Sequence, residues 1–320
     1  MTRPFRVVTH KNWLAKGFTE KLTERVVKQD FGYDIDPSTA MDTIWWAPGA
    51  WVASAALAGV QLPLMSCGPY WLERLPMIYR GRGVKTMTVA ESIRRAPVEG
   101  EWSAFVKLPE AKLDSFPATT HLRNRHWETT IGQYHLPNHA LIQLQDPVNF
   151  QIEARFWVLR GKVVAESPYR IGSLIWGWDS FEHARDRLLK TKTYAVLRDF
   201  AMEVADEVVG PPGYVLDVGK TDRGQLLVVE ANAAWSSGPY DGDPRGVFKA
   251  IEASHDFRGE HPEWAWRHNP VLDKARPLKI VGDDTCHWTD LPKDQCGCGE
   301  TCPNCSRKRH DKTKEKCYLC

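Results

Sequence analysis

The chain lacks the signals that would place it at once in a simple class. Its net charge is only +2 over 320 residues, so no overall field draws it to nucleic acid or to an acidic membrane surface. The opening residues, MTRPFRVVTHKNW, hold no apolar run leading to a small-residue cleavage site, so no secretory signal is read and a cytoplasmic location is expected. No Gly-x-Gly-x-x-Gly follows a strand-like run, which removes the usual mark of a dinucleotide site. Cysteine is nearly absent before Asp284: Cys67 stands alone there and reads as a small core residue. One charge-free stretch, Ile44 to Met65, is long enough to cross a bilayer. Pro48, Gly49, Gly59, Gln61 and Pro63 divide it, so it reads instead as a buried helix over Gly49 to Leu57 and a short strand near Val60 to Ser66, and no membrane partner is expected.

What is present is ordinary globular material, 42% hydrophobic and 26% charged, enough for two or three domains. The fourteen tryptophans sit mostly in apolar or Pro/Gly-flanked contexts and read as packing. Phe5 to Thr9 is predicted as a strand, followed by a charged amphipathic helix through about Lys28. With the helix-strand unit after Ile44 this makes a small α/β domain with parallel strands. Further on, Thr88 and Glu91 have the spacing of a capping box, and Ser103 to Leu108 reads as a strand with Lys107 near its end. Phe150 to Leu159 is a strand that returns through Gly161-Lys162. A long helix is predicted from about Phe181 to Val209, capped by Ser180 and ended by Gly210-Pro211-Pro212-Gly213. Arg245 to Ala253 reads as a covering helix.

The stretch with the most chemistry is Tyr214 to Trp235. Two apolar runs flank Lys220-Thr221-Asp222-Arg223-Gly224, the pattern of a hairpin with buried strands. If Lys220 pairs with Gln225, period-2 alternation puts Asp217, Glu230 and Asn232 on one face, with Leu216, Val218, Leu227, Val229 and Ala231 behind. Two carboxylates and an amide oxygen on a rigid platform suit a hard divalent cation, although an amphipathic hairpin with its acids in water gives the same pattern. Lys107 and Lys112 flank a proline turn and suit phosphate oxygens, with solvated surface as the alternative. Gln151, Glu153 and Arg155 share one face of their strand, where the last two also make sense as a structural ion pair. Arg170 follows on the return strand and reads either as an anion contact or as a surface residue.

Together these phrases resemble the ATP-grasp superfamily, which closes its nucleotide site with an Asp on one strand and Glu-x-Asn on the next, as in Asp217 and Glu230-Ala231-Asn232. Phe105-Val106-Lys107 with Lys112, and Glu153-Ala154-Arg155-Phe156, are similar to two further motifs of that family. The likeness covers roughly Met77 to Asp256. It implies a mixed α/β (α+β) chain: an ATP-grasp fold of two α+β subdomains over residues 77–256, after a small parallel α/β domain over 1–76 and before a linker or strap over 257–284. It further implies that Asp217, Glu230 and Asn232 hold Mg2+, and that Lys107 and Lys112 contact the triphosphate of ATP. Gln143, Gln145 and Asp146, at a strand end and hinge, would face adenine and ribose; a turn role before Pro147 is the alternative for Asp146. Glu153 would belong to the same nucleotide site, Arg155 would support the transferred phosphoryl group, and Arg170 would meet the acceptor carboxylate or phosphate. Trp235-Ser236-Ser237-Gly238 is expected to face substrate. The chain departs from the family where its proline follows one place late and Leu113-Asp114-Ser115-Phe116-Pro117 replaces a glycine-rich segment.

The resemblance implies an ATP-dependent carboxylate-amine ligase acting through an acyl phosphate, with a carboxylate substrate and an amine acceptor, a peptide or protein among the candidates. Phosphotransfer to a hydroxyl on the same scaffold and a non-catalytic adaptor are the alternatives.

The tail, residues 285–320, carries the other seven cysteines. Cys302-Pro303-Asn304-Cys305 and Cys317-Tyr318-Leu319-Cys320 are two C-x-x-C pairs eleven residues apart, a spacing at which four thiolates close on one zinc ion. Cys286, His287, Cys296 and Cys298 are candidates for a second zinc site. The loop between the strong pairs carries six Lys and Arg residues, suited to nucleic-acid phosphates or an acidic protein, or simply solvated.

Overall fold

The computed structural model describes residues 2–22, 27–30 and 32–281. All the cysteine and histidine candidates of the tail lie outside these residues. Cys67, inside them, is buried in the core as expected.

The chain begins with β1 (Phe5–Val8), α1 (Asn12–Thr19), β2 (Val27–Asp30), β3 (Asp34–Ile35), α2 (Pro37–Ala40), β4 (Ile44–Trp46) and α3 (Gly49–Leu57). β1 pairs in parallel with both β2 and β4, as predicted. α1 buries Leu14, Ala15 and Phe18, and Phe18 meets Phe5 edge-on at 5.3 Å. The predicted helix through Lys28 is wrong: Lys28 lies in β2. A parallel pair needs a crossover between its strands, so the helix must end early enough for the chain to return. α3 has the predicted bounds. The predicted strand near Val60 to Ser66 reduces to two isolated bridges, Leu64 with His255 and Met65 with Ala265. Its neighbours are single extended residues and not another strand.

Next come α4 (Trp71–Arg74), α5 (Met77–Arg80), β5 (Val84–Thr88), α6 (Val89–Arg94), β6 (Trp102–Lys107), β7 (Thr119–Arg123), α7 (Trp127–Gly132) and β8 (Leu141–Gln145). The four strands form one antiparallel sheet in the order β5-β8-β6-β7. Their apolar face packs on α6 and α7 through Val106, Ile142, Val89, Trp127 and Ile131. Thr88 caps α6, its hydroxyl accepting from the Glu91 amide at 3.1 Å, while the Glu91 carboxylate pairs with Arg95 at 2.6 Å.

The third group is β9 (Phe150–Leu159), β10 (Lys162–Ile171), β11 (Leu174–Ile175), α8 (Phe181–Leu188), α9 (Lys192–Glu207), β12 (Gly213–Thr221), β13 (Leu226–Asn232), α10 (Pro244–Ala253) and β14 (Lys279–Ile280). An antiparallel sheet runs β11-β10-β9-β12-β13. Arg160 and Gly161, both left-handed (φ 49° and 75°), form the two-residue loop that joins β9 to β10. One face of this sheet, with Ala154, Phe156, Val158, Leu216 and Val218, packs on α9; the other, with Trp157 and Val215, packs on α10 and shares a core with the first parallel sheet. The predicted long helix is in fact two. Thr191 separates them, its hydroxyl donating to the Leu188 carbonyl at 2.7 Å and accepting from the Tyr194 amide at 3.2 Å, so one side chain closes one helix and caps the next. Ser180 makes no side-chain cap.

Residues 257–281 form a strap. Trp266 is buried edge-on against Trp235 at 5.1 Å, and β14 pairs in parallel with β3. The Asn269 amide accepts from the Leu141 N–H at 3.3 Å and donates to the Leu141 carbonyl at 2.8 Å and the Pro109 carbonyl at 3.4 Å, fastening the strap to the four-stranded sheet. No helix among the described residues is long and apolar enough to cross a membrane.

Candidate functional site

The site is built on the β12–β13 hairpin, and its register differs from the prediction. Lys220 faces Leu226, not Gln225. Continued unbroken, that register would put Asp217 opposite Val229 and turn Glu230 to the other face. A β-bulge prevents this: Val218 pairs with Val228 and Asp217 with Glu230, so Val229 is the extra residue. The acids and Asn232 therefore share a face as expected, through a different register, and Val228 takes the core place predicted for Leu227 and Val229.

Arg82, a residue the sequence reading passed over, fastens the bulge. Its guanidinium is buried and donates to the carbonyls of Val228 and Val229, both at 2.8 Å, to the Arg80 carbonyl at 2.8 Å and to Gln145 Oε1 at 2.8 Å. Burial, with Arg80 nearby, lowers its pKa to about 10, which leaves it charged at neutral pH. Its partners are mostly backbone carbonyls, so only its place in a Gly81-Arg82-Gly83 turn marks it in the sequence.

Arg155 on β9 lies across from Asp217 on β12, with Nε to Oδ1 at 2.9 Å and Nη2 to Oδ2 at 2.8 Å. Both groups are buried, and Arg155 also donates to the Gly238 carbonyl at 3.2 Å and lies over the Tyr240 ring at 4.9 Å. Burial disfavours the Arg155 charge, but the Asp217 carboxylate more than reverses this and raises its pKa. Asn232 Nδ2 donates to Asp217 Oδ2 at 3.1 Å and to Glu230 Oε1 at 2.7 Å, and Glu230 Oε2 takes the Lys107 ammonium. Arg155, Asp217, Asn232, Glu230 and Lys107 thus form one unbroken polar chain across β9, β12, β13 and β6. Burial, and then Lys112, lower the Lys107 pKa to about 8; burial and Arg155 lower that of Lys112.

Lys107, Gln143, Glu230 and Asn232 line one pocket with Gly68, Trp71 and Glu110. Gln143 and Gln145 are buried and bonded to each other at 2.8 Å, and Gln143 also donates to Thr86 Oγ1 at 3.0 Å. Asp146 Oδ2 accepts from the Gly83 N–H at 2.7 Å, the turn contact named as its alternative. Glu153 is occupied by Tyr169 at 2.6 Å and Arg170 at 2.6 Å, so these three form a group of their own beside Arg155. Trp235 does not face a substrate: it is core, its indole donating to the Met65 carbonyl at 2.8 Å, while Gly238 of the same loop reaches Arg155.

A family model of the ATP-grasp domain, family 2 of its clade, matches residues 79–250. No curated protein matches the chain. Among solved structures it is similar to a D-cycloserine synthetase, at 11% identity over 78% of this chain and 97% of that one, with a TM-score of 0.44. It is also similar to a RimK domain ATP-grasp protein from Sphaerobacter thermophilus, at 15% identity over 79% and 99%, with a TM-score of 0.45. A third similar structure is D-alanine–D-alanine ligase from Bacillus anthracis complexed with ATP, at 10% identity over 79% and 95%, with a TM-score of 0.31.

Proposed function

Because this chain belongs to the ATP-grasp domain family whose model spans more than half of it, we propose that it is an ATP-dependent carboxylate-amine ligase. The observation that carries this reading is the unbroken chain from Lys107 to Arg155, in which cations and carboxylates from four strands meet beside one pocket. The carboxylate would attack the γ-phosphorus, forming a C–O–P linkage as the β,γ P–O bond breaks. The amine would then attack the acyl carbon, inorganic phosphate leaving and the nitrogen losing a proton.

In this reading Lys107 and Lys112 offset phosphate charge, and Arg155, fixed by Asp217, faces the transferred group. Glu230 and Asn232 fit a magnesium ion: Asn232 uses its Nδ2 on its neighbours, which leaves its amide oxygen as a ligand beside the Glu230 carboxylate. Both oxygens of Asp217 are engaged, so it acts by orienting Arg155 and Asn232 and not as a direct ligand. Bound there, magnesium would bridge phosphate oxygens and neutralise charge in transfer. Arg170 is assigned to the acceptor carboxylate, and Gln143, Gln145 and Asp146 to the wall along the nucleotide. The tail cysteines are assigned to zinc on their spacing alone.

The test is ATP-dependent hydroxamate formation from pooled carboxylic acids with hydroxylamine. The intact protein is expected to give a signal and Glu230→Ala to lose at least nine-tenths of it. Equal signals, or a phosphorylated hydroxyl product without hydroxamate, would reject the ligase assignment.

A further inference from the structure

Glu110 has no place in that scheme, yet its position is unusual. It ends the turn that leaves β6, three residues after Lys107, and its backbone is left-handed at φ 56°. That conformation disfavours residues with a side chain and suits glycine. Its side chain gives the reason for the departure. Glu110 Oε1 accepts from the Gly68 N–H at 3.1 Å, and the carboxylate also accepts from Ser66. It shares the pocket with Lys107, Glu230, Asn232 and Gln143. An anion that takes a free backbone N–H and a hydroxyl beside a lysine is doing what a phosphate oxygen would do in the same place.

We propose that Glu110 is an internal competitor for the nucleotide: its carboxylate holds the Gly68 amide and the field of Lys107 until a phosphate displaces it, and the 108–112 turn moves when it does. This rests on the nucleotide-binding reading of the pocket and adds a residue that sets affinity. The charged and titratable groups facing Glu110 are Lys107 from β6, Glu230 from β13, Cys67 ahead of α4, and Lys112 on its own turn. Burial holds the Glu110 carboxyl up to about 7, so it is mostly charged at pH 8 and mostly neutral at pH 6. The surrounding groups are common to the protein and its Glu110 variants, so the ratio of their affinities isolates Glu110.

The experiment is Mg-ATP binding by equilibrium dialysis at pH 8 and pH 6, with the intact chain, Glu110→Gln and Glu110→Gly. Gln keeps an acceptor for Gly68 and loses the charge; Gly takes the left-handed backbone freely and removes the competitor. Glu110→Gln is expected to bind about tenfold more tightly than the unaltered chain at pH 8, equivalent to ~1.4 kcal/mol, and less than threefold more tightly at pH 6. Glu110→Gly is expected to bind more tightly at pH 8, and serves as the deciding variant if Glu110→Gln fails to fold by circular dichroism. Binding by the unaltered chain with equal or weaker binding by the variants at pH 8 overturns this inference alone. No binding by the unaltered chain at either pH overturns the nucleotide reading, and this inference with it.

Discussion

His255 makes the fold acid-sensitive at an identifiable point. It is 6% exposed at the end of α10, where Nε2 accepts from the Trp45 N–H at 2.9 Å and Nδ1 lies 2.9 Å from the Ile251 carbonyl. The first contact needs an unprotonated Nε2 and the second a proton on Nδ1, so the ring is neutral and joins the parallel sheet to the helix. Burial drives its pKa down to about 4 from the ordinary 6.5. The unfolded chain therefore binds a proton between pH 6.5 and 4 that the folded chain refuses, and stability is lost as pH falls through that window. At 1.36 kcal/mol per unit the full loss is about 3 kcal/mol, of which about 2 kcal/mol has gone by pH 5. Other acids titrate in the same range, so the measurement is a difference. Urea unfolding at pH 7, 6, 5 and 4.5 is compared between the unaltered chain and His255→Gln, whose amide can accept from Trp45 and donate to Ile251 without titrating. The variant is expected to lose about 2 kcal/mol less between pH 7 and 5. Parallel curves would refute the assignment of His255 as a neutral bridge.

Arg82→Met removes the donor to two bulge carbonyls and to Gln145. A cost of about 3 kcal/mol in urea unfolding is expected, together with loss of hydroxamate formation as the hairpin slips; a cost below ~1 kcal/mol would show that the bulge holds itself. For the tail, elemental analysis of protein purified without chelator is expected to find one or two zinc ions per chain, reduced by Cys302→Ser. Zinc-free protein with all cysteines reactive to a thiol reagent would end that assignment.

Legibility in the sequence followed the range of the forces involved. β9, α3 and the Thr88 cap were readable because alternation, apolar content and a hydroxyl at a helix start act over a few residues. The break at Thr191 was missed although its residues are local, because α8 and α9 each continue an amphipathic pattern and only a hydroxyl bonded in both directions shows that they part. The shared face of Asp217 and Glu230 was anticipated through the wrong register: the turn shifted the pairing by one residue and the bulge at Val229 shifted it back. Nothing within the hairpin encodes that bulge visibly, since the group that holds it is Arg82, more than a hundred residues earlier. Glu110 was passed over because a left-handed backbone is expected of glycine, and its amide partner leaves no side-chain signal.

The ion pairs of the site differ in exposure, and this ranks what a ligand can exchange. Taking one partner from a buried pair strands the other charge without water, whereas an accessible pair trades one partner for another at small net cost. The Arg155 and Asp217 side chains are 7% and 1% exposed, while those of Lys107 and Glu230 are 17% and 21% exposed and line the pocket. An arriving phosphate and its cation can therefore divide the second pair, the lysine turning to the anion and the glutamate to the cation, so charge remains balanced throughout. The first pair cannot be divided on those terms and stays as the fixed reference. Asn232 spans the two, bonded at once to Asp217 and Glu230, and holds the exchangeable carboxylate at a set place relative to Arg155 as its lysine leaves.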